Sequence, residues 1–355
     1  MRVAVLWSRL AGFWTASLQA LDALDGVDVF VAYRASPNPW APYGDEAKQI
    51  PGSGFGWIDP ADQDEVLAAV EAFQPDALIV TSWHLAHYRH VLRAFAGRAL
   101  RIVCMDNQWR GTPRQRLGSL TARRYIQPLY ECAFVAGERQ AIFARKLGFD
   151  DGQILRGLLC ADTELFRGAP RTPTSLEQGR SFLFTGRLID YKGIDDLATA
   201  YARYREAATQ PWPLLVCGTG TEPTRLERLP GVEMLGFQQP QQLAAVMQRA
   251  TCLVVPSRYE PWGVVVHEGA CAGTSLICTT EVGAAVHLLQ DGYNGWCVPT
   301  GDPGQLAAAM ARMSTCDDEQ LAVMSRASQT MAAQLTTDRW ARYVRDQIAS
   351  RIPCG

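Results

Sequence analysis

Residues 252–279 read CLVVPSRYEPWGVVVHEGACAGTSLICT. Two apolar runs, CLVVP (252–256) and SLICT (275–279), bracket a turn marked by Pro261 and Gly263, and the following VVVHEGACAG opens as a buried helix. Strands that are apolar throughout and joined through helices belong to a parallel sheet covered on both faces. The alternation continues outward. WCVP (296–299) follows, and VEML (232–235), PLLVC (213–217) and SFLFT (181–185) precede, with DDLATAYARYREA and QQLAAVMQRA as helical patterns between them. A second set lies N-terminal to these: RVAVLW (2–7), VDVFVAY (27–33), DALIVT (76–81), RIVCM (101–105) and CAFVA (132–136). Between the two sets, GAPRTPTSLEQGRS (168–181) lacks an apolar pattern and reads as a linker. After residue 300 the chain is helical, with Asp302, Asp317 and Thr337 as expected N-caps. The expectation is therefore two α/β domains, 1–165 and 166–335, with a last helix at about 337–350 crossing back to pack on the first.

The composition agrees. A chain of 355 residues exceeds one ordinary core, and 48% hydrophobic with 20% charged residues is a folding composition. The formal charge is −2, and residues 1–165 carry 17 basic and 18 acidic groups, as do residues 166–355. Neither half offers the general basic field of a nucleic-acid binder. The ten cysteines include no C-x-x-C pair and no zinc-ligand spacing, and read as small reduced core residues. The start, MRVAVLW, reads as a strand and not as a leader, and no stretch has the length of a membrane span, which points to a cytoplasmic protein.

In doubly wound sheets, ligands bind beyond the carboxyl ends of the strands. After SFLFT come Gly186, Arg187 and Lys192; after PLLVC, Gly218; after VEML, Gly236 and Phe237; after CLVVP, Glu260, Trp262 and Gly263. Glycines let a backbone approach a ligand, and two cations neutralise an anion. The chain holds only three lysines, Lys48, Lys146 and Lys192. An isolated Lys here would read as a surface residue; one paired with Arg187 behind a strand reads as an anion site. Glu260 and Glu268 are separated by seven residues around the start of a helix whose first amides, near Gly263 and Val264, are free to hold an anion or a sugar oxygen. A carboxylate accepts two hydrogen bonds side by side, which suits a vicinal diol. The plain alternative is two unrelated acids, one of them favourable to the helix dipole.

FTGRLIDYKG, the glycine after PLLVC, the LGF turn, PSRYEPWGVVVHEGACAG and DGYNGWCVP together resemble family 4 of the retaining glycosyltransferases, strongly over about 180–310 and only architecturally over 1–165. The resemblance implies the GT-B architecture, two Rossmann-like domains facing a cleft, the first for the acceptor and the second for a nucleotide-sugar donor. It implies that Arg187 and Lys192 hold the donor diphosphate. Glu260 would bind the donor sugar with the amides of Trp262, Gly263 and Val264, Glu268 the ribose, and the loop at Gly236 and Phe237 would lie by the base. Departures are the single Gly12 where the family often has two glycines, and Gly283-Ala284 and His287 where a second glycine and a Glu are usual.

In the first half, His84 and Asp106 stand at strand ends, Asp106 roughly where relatives have a His. Both are candidate site residues; His87 and His90 are weaker ones. Residues 109–124, WRGTPRQRLGSLTARR, carry five arginines and no acid, and offer a contact to a lipid-linked or phosphorylated acceptor or to the inner face of a membrane, against the plainer reading of a solvated surface.

The reading reached is a retaining, metal-independent glycosyltransferase that moves a sugar from a nucleoside diphosphate sugar to a hydroxyl of a saccharide or lipid-linked saccharide, in polysaccharide or glycoconjugate synthesis. The strand-end motifs include no carboxylate or His/Cys cluster with metal-ligand spacing, so no metal and no cofactor beyond the donor substrate is expected. The alternatives are a nucleotide-sugar epimerase or hydrolase of the same architecture and a non-catalytic nucleotide-sugar-binding subunit. A dinucleotide oxidoreductase is disfavoured, because SRLAGFW (8–14) replaces the G-x-G-x-x-G fingerprint.

Overall fold

The protein was analysed as a computed structural model, which describes residues 1–8, 10–35, 43, 50–57, 63–169, 171–173, 179–220 and 224–352. Part of the expected linker (170 and 174–178), Lys48 and Cys354 lie outside the described residues. The chain divides into one unit of Met1–Cys160 with Thr337–Gly355 and a second of Ala161–Thr336.

The first unit carries β1 (Arg2–Trp7), β2 (Asp28–Arg34), β3 (Ser53–Trp57), β4 (Ala77–Val80), β5 (Leu100–Met105), β6 (Cys132–Val135) and β7 (Ile154–Arg156), in the parallel order β3-β2-β1-β4-β5-β6-β7. The second carries β8 (Phe182–Thr185), β9 (Leu214–Cys217), β10 (Val232–Gly236), β11 (Cys252–Val255), β12 (Ser275–Thr279) and β13 (Gly295–Val298), in the order β10-β9-β8-β11-β12-β13. Each is a doubly wound Rossmann-like sheet. The winding reverses between β1 and β4 in the first and between β8 and β11 in the second, where Cys252 pairs with Phe182 and Leu253 with Leu183. The central strands β4, β5, β6, β9, β11 and β12 are buried along their whole lengths, as their unbroken apolar runs require.

Two strands were absent from the sequence reading: β3 and β7. Both lie at a sheet edge; SGFGW is mostly exposed, and β7 is three residues long. After residue 300 come helices Pro303–Ser314, Asp318–Ala332 and Thr337–Ala349. Asp302 accepts from the Gly304 and Gln305 amides, and Asp317 forms a capping box with Gln320. Thr337 is a correction: it is the first helical residue, not the cap.

Helix Thr337–Ala349 packs on helix Gly12–Asp22 of the first unit. Trp340 is fully buried, edge-on to Trp14 (5.5 Å between ring centres), and its indole N–H donates to the Leu158 carbonyl (3.1 Å). In the second unit, buried His267 accepts from the Ala161 amide at Nδ1 (3.1 Å) and lies 3.2 Å from the Ala332 carbonyl at Nε2, which sets the Nε2–H tautomer. That ring holds both ends of the unit to helix Val264–Cys271. Seven of the nine described cysteines are buried and none is bridged to another.

Candidate active site

The winding reversal between β8 and β11 is where the second sheet opens a crevice at its carboxyl edge. The loops leaving these strands are bound to each other. The Lys192 ammonium is ion-paired with the Glu260 carboxylate, both side chains being largely buried (16% and 11% exposed). Behind them the Arg258 guanidinium grips the Asp196 carboxylate with Nε and Nη2 (2.8 and 3.0 Å) and Asp190 with Nη1 (2.8 Å). The amides of Arg258 and Tyr259 both donate to the Tyr191 carbonyl (2.9 and 3.2 Å). Gly193 takes φ = +72°, and a Cβ there would collide with the Pro256 carbonyl. Only glycine lets the first loop come this close to the second and then start helix Ile194–Ala207.

Glu260 is fixed from its other side by residues 282–284. The Gly283 amide donates to the Glu260 carbonyl (3.0 Å) and the Ala284 amide to that of Trp262 (2.8 Å). The Trp262 ring is buried and lies 5.5 Å from His287. Gly263, at φ = +90°, caps helix Val264–Cys271; a Cβ would stand 2.9 Å from Glu260 Cγ. That helix has no acid in its first turn and no side-chain cap, and the Glu260 carboxyl group beside Gly263 is the charge that stands at its positive dipole end. Gly186 and Gly218 lie side by side at the ends of β8 and β9, Gly186 donating to the Cys217 carbonyl (3.0 Å) and Gly218 to that of Gly236 (2.7 Å). Phe237 follows on edge strand β10.

The structure thus joins Lys192 to Glu260. It does not join Arg187 to either: Arg187 is exposed and donates to the hydroxyl of Tyr191, whose ring lies 5.5 Å from Arg187 Cζ and 5.9 Å from Lys192 Nζ. Tyr191 and Arg258 were not singled out in the sequence. An aromatic between two cations in RLIDYK was a usable signal for Tyr191; nothing local marks Arg258, whose partners lie more than sixty residues away.

Glu268 stands on the second turn of helix Val264–Cys271. Burial, with the neighbouring Asp162 carboxylate adding to it, pushes its pKa up from the ordinary range to about 7. A carboxylate whose folded pKa is raised gives stability that is complete below its unfolded value and is lost as pH rises through the folded one. Glu268→Gln should therefore leave stability unchanged near pH 4 and raise it at pH 8, by on the order of 2–3 kcal/mol. Calorimetric melting at both pH values checks this; a variant less stable than wild type at pH 8 contradicts it.

In the first unit, a pocket of about 120 Å³ at the ends of β4 and β5 is lined by Ser82, Trp83, His84, Asp106, Asn107 and Phe143, among others. Burial, with Arg114 and Arg89 nearby, lowers the His84 pKa and favours the neutral imidazole. His84 and Asp106 thus share one pocket. His87 is instead buried in the core against Trp57 and Tyr88, and His90 faces Asp64 (3.4 Å).

Against known proteins, residues 170–331 match the model of the family "Glycosyl transferases group 1". The glycogen synthase of Mycobacterium tuberculosis is 32% identical over 182 residues, 48% of this chain and 42% of that protein. A D-inositol 3-phosphate glycosyltransferase of Corynebacterium urealyticum is 26% identical over 211 residues, 52% of this chain and 49% of that protein. The chain therefore spans less than half the length of either relative. Among solved structures, Anabaena HepE in complex with UDP superposes over 99% of this chain and 100% of its own, with a TM-score of 0.75 at 16% identity. The chain has the two parallel-sheet domains of the GT-B fold, and residues 170–331 carry the sequence pattern of the group 1 glycosyl transferases.

Proposed function

We propose that the protein is a retaining, metal-independent glycosyltransferase that takes a nucleoside diphosphate sugar as donor and a saccharide or lipid-linked saccharide hydroxyl as acceptor, in polysaccharide or glycoconjugate synthesis. The observation that carries the proposal is the Lys192–Glu260 pair at the winding reversal, at the Gly263 end of helix Val264–Cys271. In the proposed reaction the bond from the anomeric carbon to the diphosphate oxygen breaks, the acceptor oxygen bonds to that carbon on the same face, and the acceptor proton passes to the leaving phosphate. Lys192, Arg187 and the helix amides stabilise the charge that develops on the diphosphate. Glu260 holds the donor sugar and Glu268 the ribose, beside Phe237 at the base. In the first unit, His84 and Asp106 orient the acceptor. Because HepE was solved with UDP and with UDP-glucose, a uridine nucleotide is the first donor to test.

Calorimetry with UDP, GDP and ADP, followed by transfer assays of the matching nucleotide sugars in EDTA, tests the reading. Binding of one nucleoside diphosphate and EDTA-resistant transfer with the anomeric configuration kept are expected. Loss of turnover in EDTA with recovery in Mg²⁺ or Mn²⁺ overturns metal independence, an inverted product overturns retention, and release to water alone favours a hydrolase.

A further inference from the structure

Helix Pro113–Tyr125 leaves β5 and its pocket and turns a face to solvent that the fold does not use. Its inner side is tied down. Ala122 is buried, the Thr112 hydroxyl caps the Gln115 amide (3.3 Å), and the Gln115 side chain accepts from the Arg110 amide and donates to the Gln108 carbonyl (both 2.8 Å). The outward side is apolar at its centre: Leu117 is 65% exposed and Leu120 82%, with Tyr125 64% exposed at the end of the helix. Leu117 and Leu120 are three residues apart and share a face. At 100° per residue, Arg124 falls between them, Arg116 and Arg123 flank one side, and Arg114 the other. No acidic residue occurs from Trp109 to Tyr130. Among the described residues, Arg114, Arg116, Arg123 and Arg124 enter no ion pair.

Exposed leucines alone would mark any docking face; leucines ringed by arginines that enter no ion pair are more selective, though Arg116 Nε also donates to the Gly111 carbonyl (2.9 Å). Long basic side chains can lie outward from apolar anchors and reach negative headgroups while the leucines enter the acyl boundary. We propose that helix Pro113–Tyr125 is a docking face for an anionic lipid surface, holding the protein on a membrane without spanning it. No helix of the described residues is long and apolar enough to cross one. The helix begins beside the pocket of His84 and Asp106, since Arg114 is near enough to act on the His84 imidazole. A lipid-borne acceptor would thus present its head group to that pocket. This last point rests on the proposed transferase reading; the docking does not, because it is read without any transfer.

The test is flotation of the full chain with vesicles of pure phosphatidylcholine and of phosphatidylcholine with phosphatidylglycerol. The protein should float with the anionic vesicles only, and less in high salt. Leu117→Glu/Leu120→Glu should weaken binding by about tenfold or more, and Arg123→Gln/Arg124→Gln by about fivefold or more. Leu117→Ser/Leu120→Ser is the milder companion. Unchanged melting and unchanged nucleotide binding in these variants show that the loss is not unfolding. Equal binding to both vesicle types, no binding to anionic vesicles in low salt, or wild-type flotation of both leucine variants overturns the proposal. So does light scattering that shows a dimer abolished by the leucine changes, because a second copy then owns the face.

Discussion

Glu260→Gln should cut turnover by two orders of magnitude or more and leave the bare nucleoside diphosphate bound as tightly as in wild type, or tighter. The glutamate is the ion-pair partner of Lys192 and lies close to the proposed diphosphate position. Neutralising it frees the ammonium for the phosphates and removes a like charge from their neighbourhood. The same change takes away a charged acceptor for the transferred sugar, a loss felt in the rate constant where the contact strengthens toward the transition state. Lys192→Ala should act in the opposite sense on binding, weakening the nucleotide by about 1.5–3 kcal/mol, as for a charged hydrogen bond. Arg258→Ala touches no ligand in this arrangement, yet should share part of the turnover loss, because it unties the loop of Lys192 from that of Glu260. Calorimetry with the nucleotide alone, set beside steady-state kinetics, separates these effects. If Glu260→Gln loses nucleotide affinity while Lys192→Ala keeps it, the proposed roles are wrong.

The second large effect is structural. Trp340→Ala should destabilise the first unit by about 3–5 kcal/mol, the usual range for deleting a buried aromatic. The residue is fully enclosed by Trp14 and Phe134, and its removal also strips the Leu158 carbonyl of a donor. By the size scaling of unfolding, the first unit should melt roughly 10 °C lower. Trp340→Phe, which keeps most of the volume, should lose much less. Differential scanning calorimetry reads both, and coincident wild-type and Trp340→Ala traces would rule the assignment out.

What the sequence made legible, and what it did not, follows from where the residues sit. Strands such as CLVV and SLICT are buried on both faces, so every side chain is apolar and the run is visible by itself. SGFGW is an edge strand with exposed glycines, and its pairing with β2 depends on its neighbour and leaves no run to read. The rim residues were legible because the strand ends that display them were. How they pair was not. Asp196 in the first turn of a helix looks like an ordinary dipole acid, yet it is the anchor of Arg258. Asp162 lay inside the segment assigned to the first domain. The division after Cys160 puts it in the second unit, where it adds to the burial that raises the Glu268 pKa.

The return of helix Thr337–Ala349 to the first unit also sets an order of events during synthesis. The strands and most helices of that unit leave the ribosome first, yet the face of helix Gly12–Asp22 that meets Trp340 has no cover until residues 337–349 have been made. The second unit, contiguous from Ala161 to Thr336, has all its parts before that helix exists. Domains fold as units once their residues are available. The N-terminal half of this chain is therefore the later of the two to be finished, and throughout that interval its tryptophan-bearing face is open to chaperones and to misassociation.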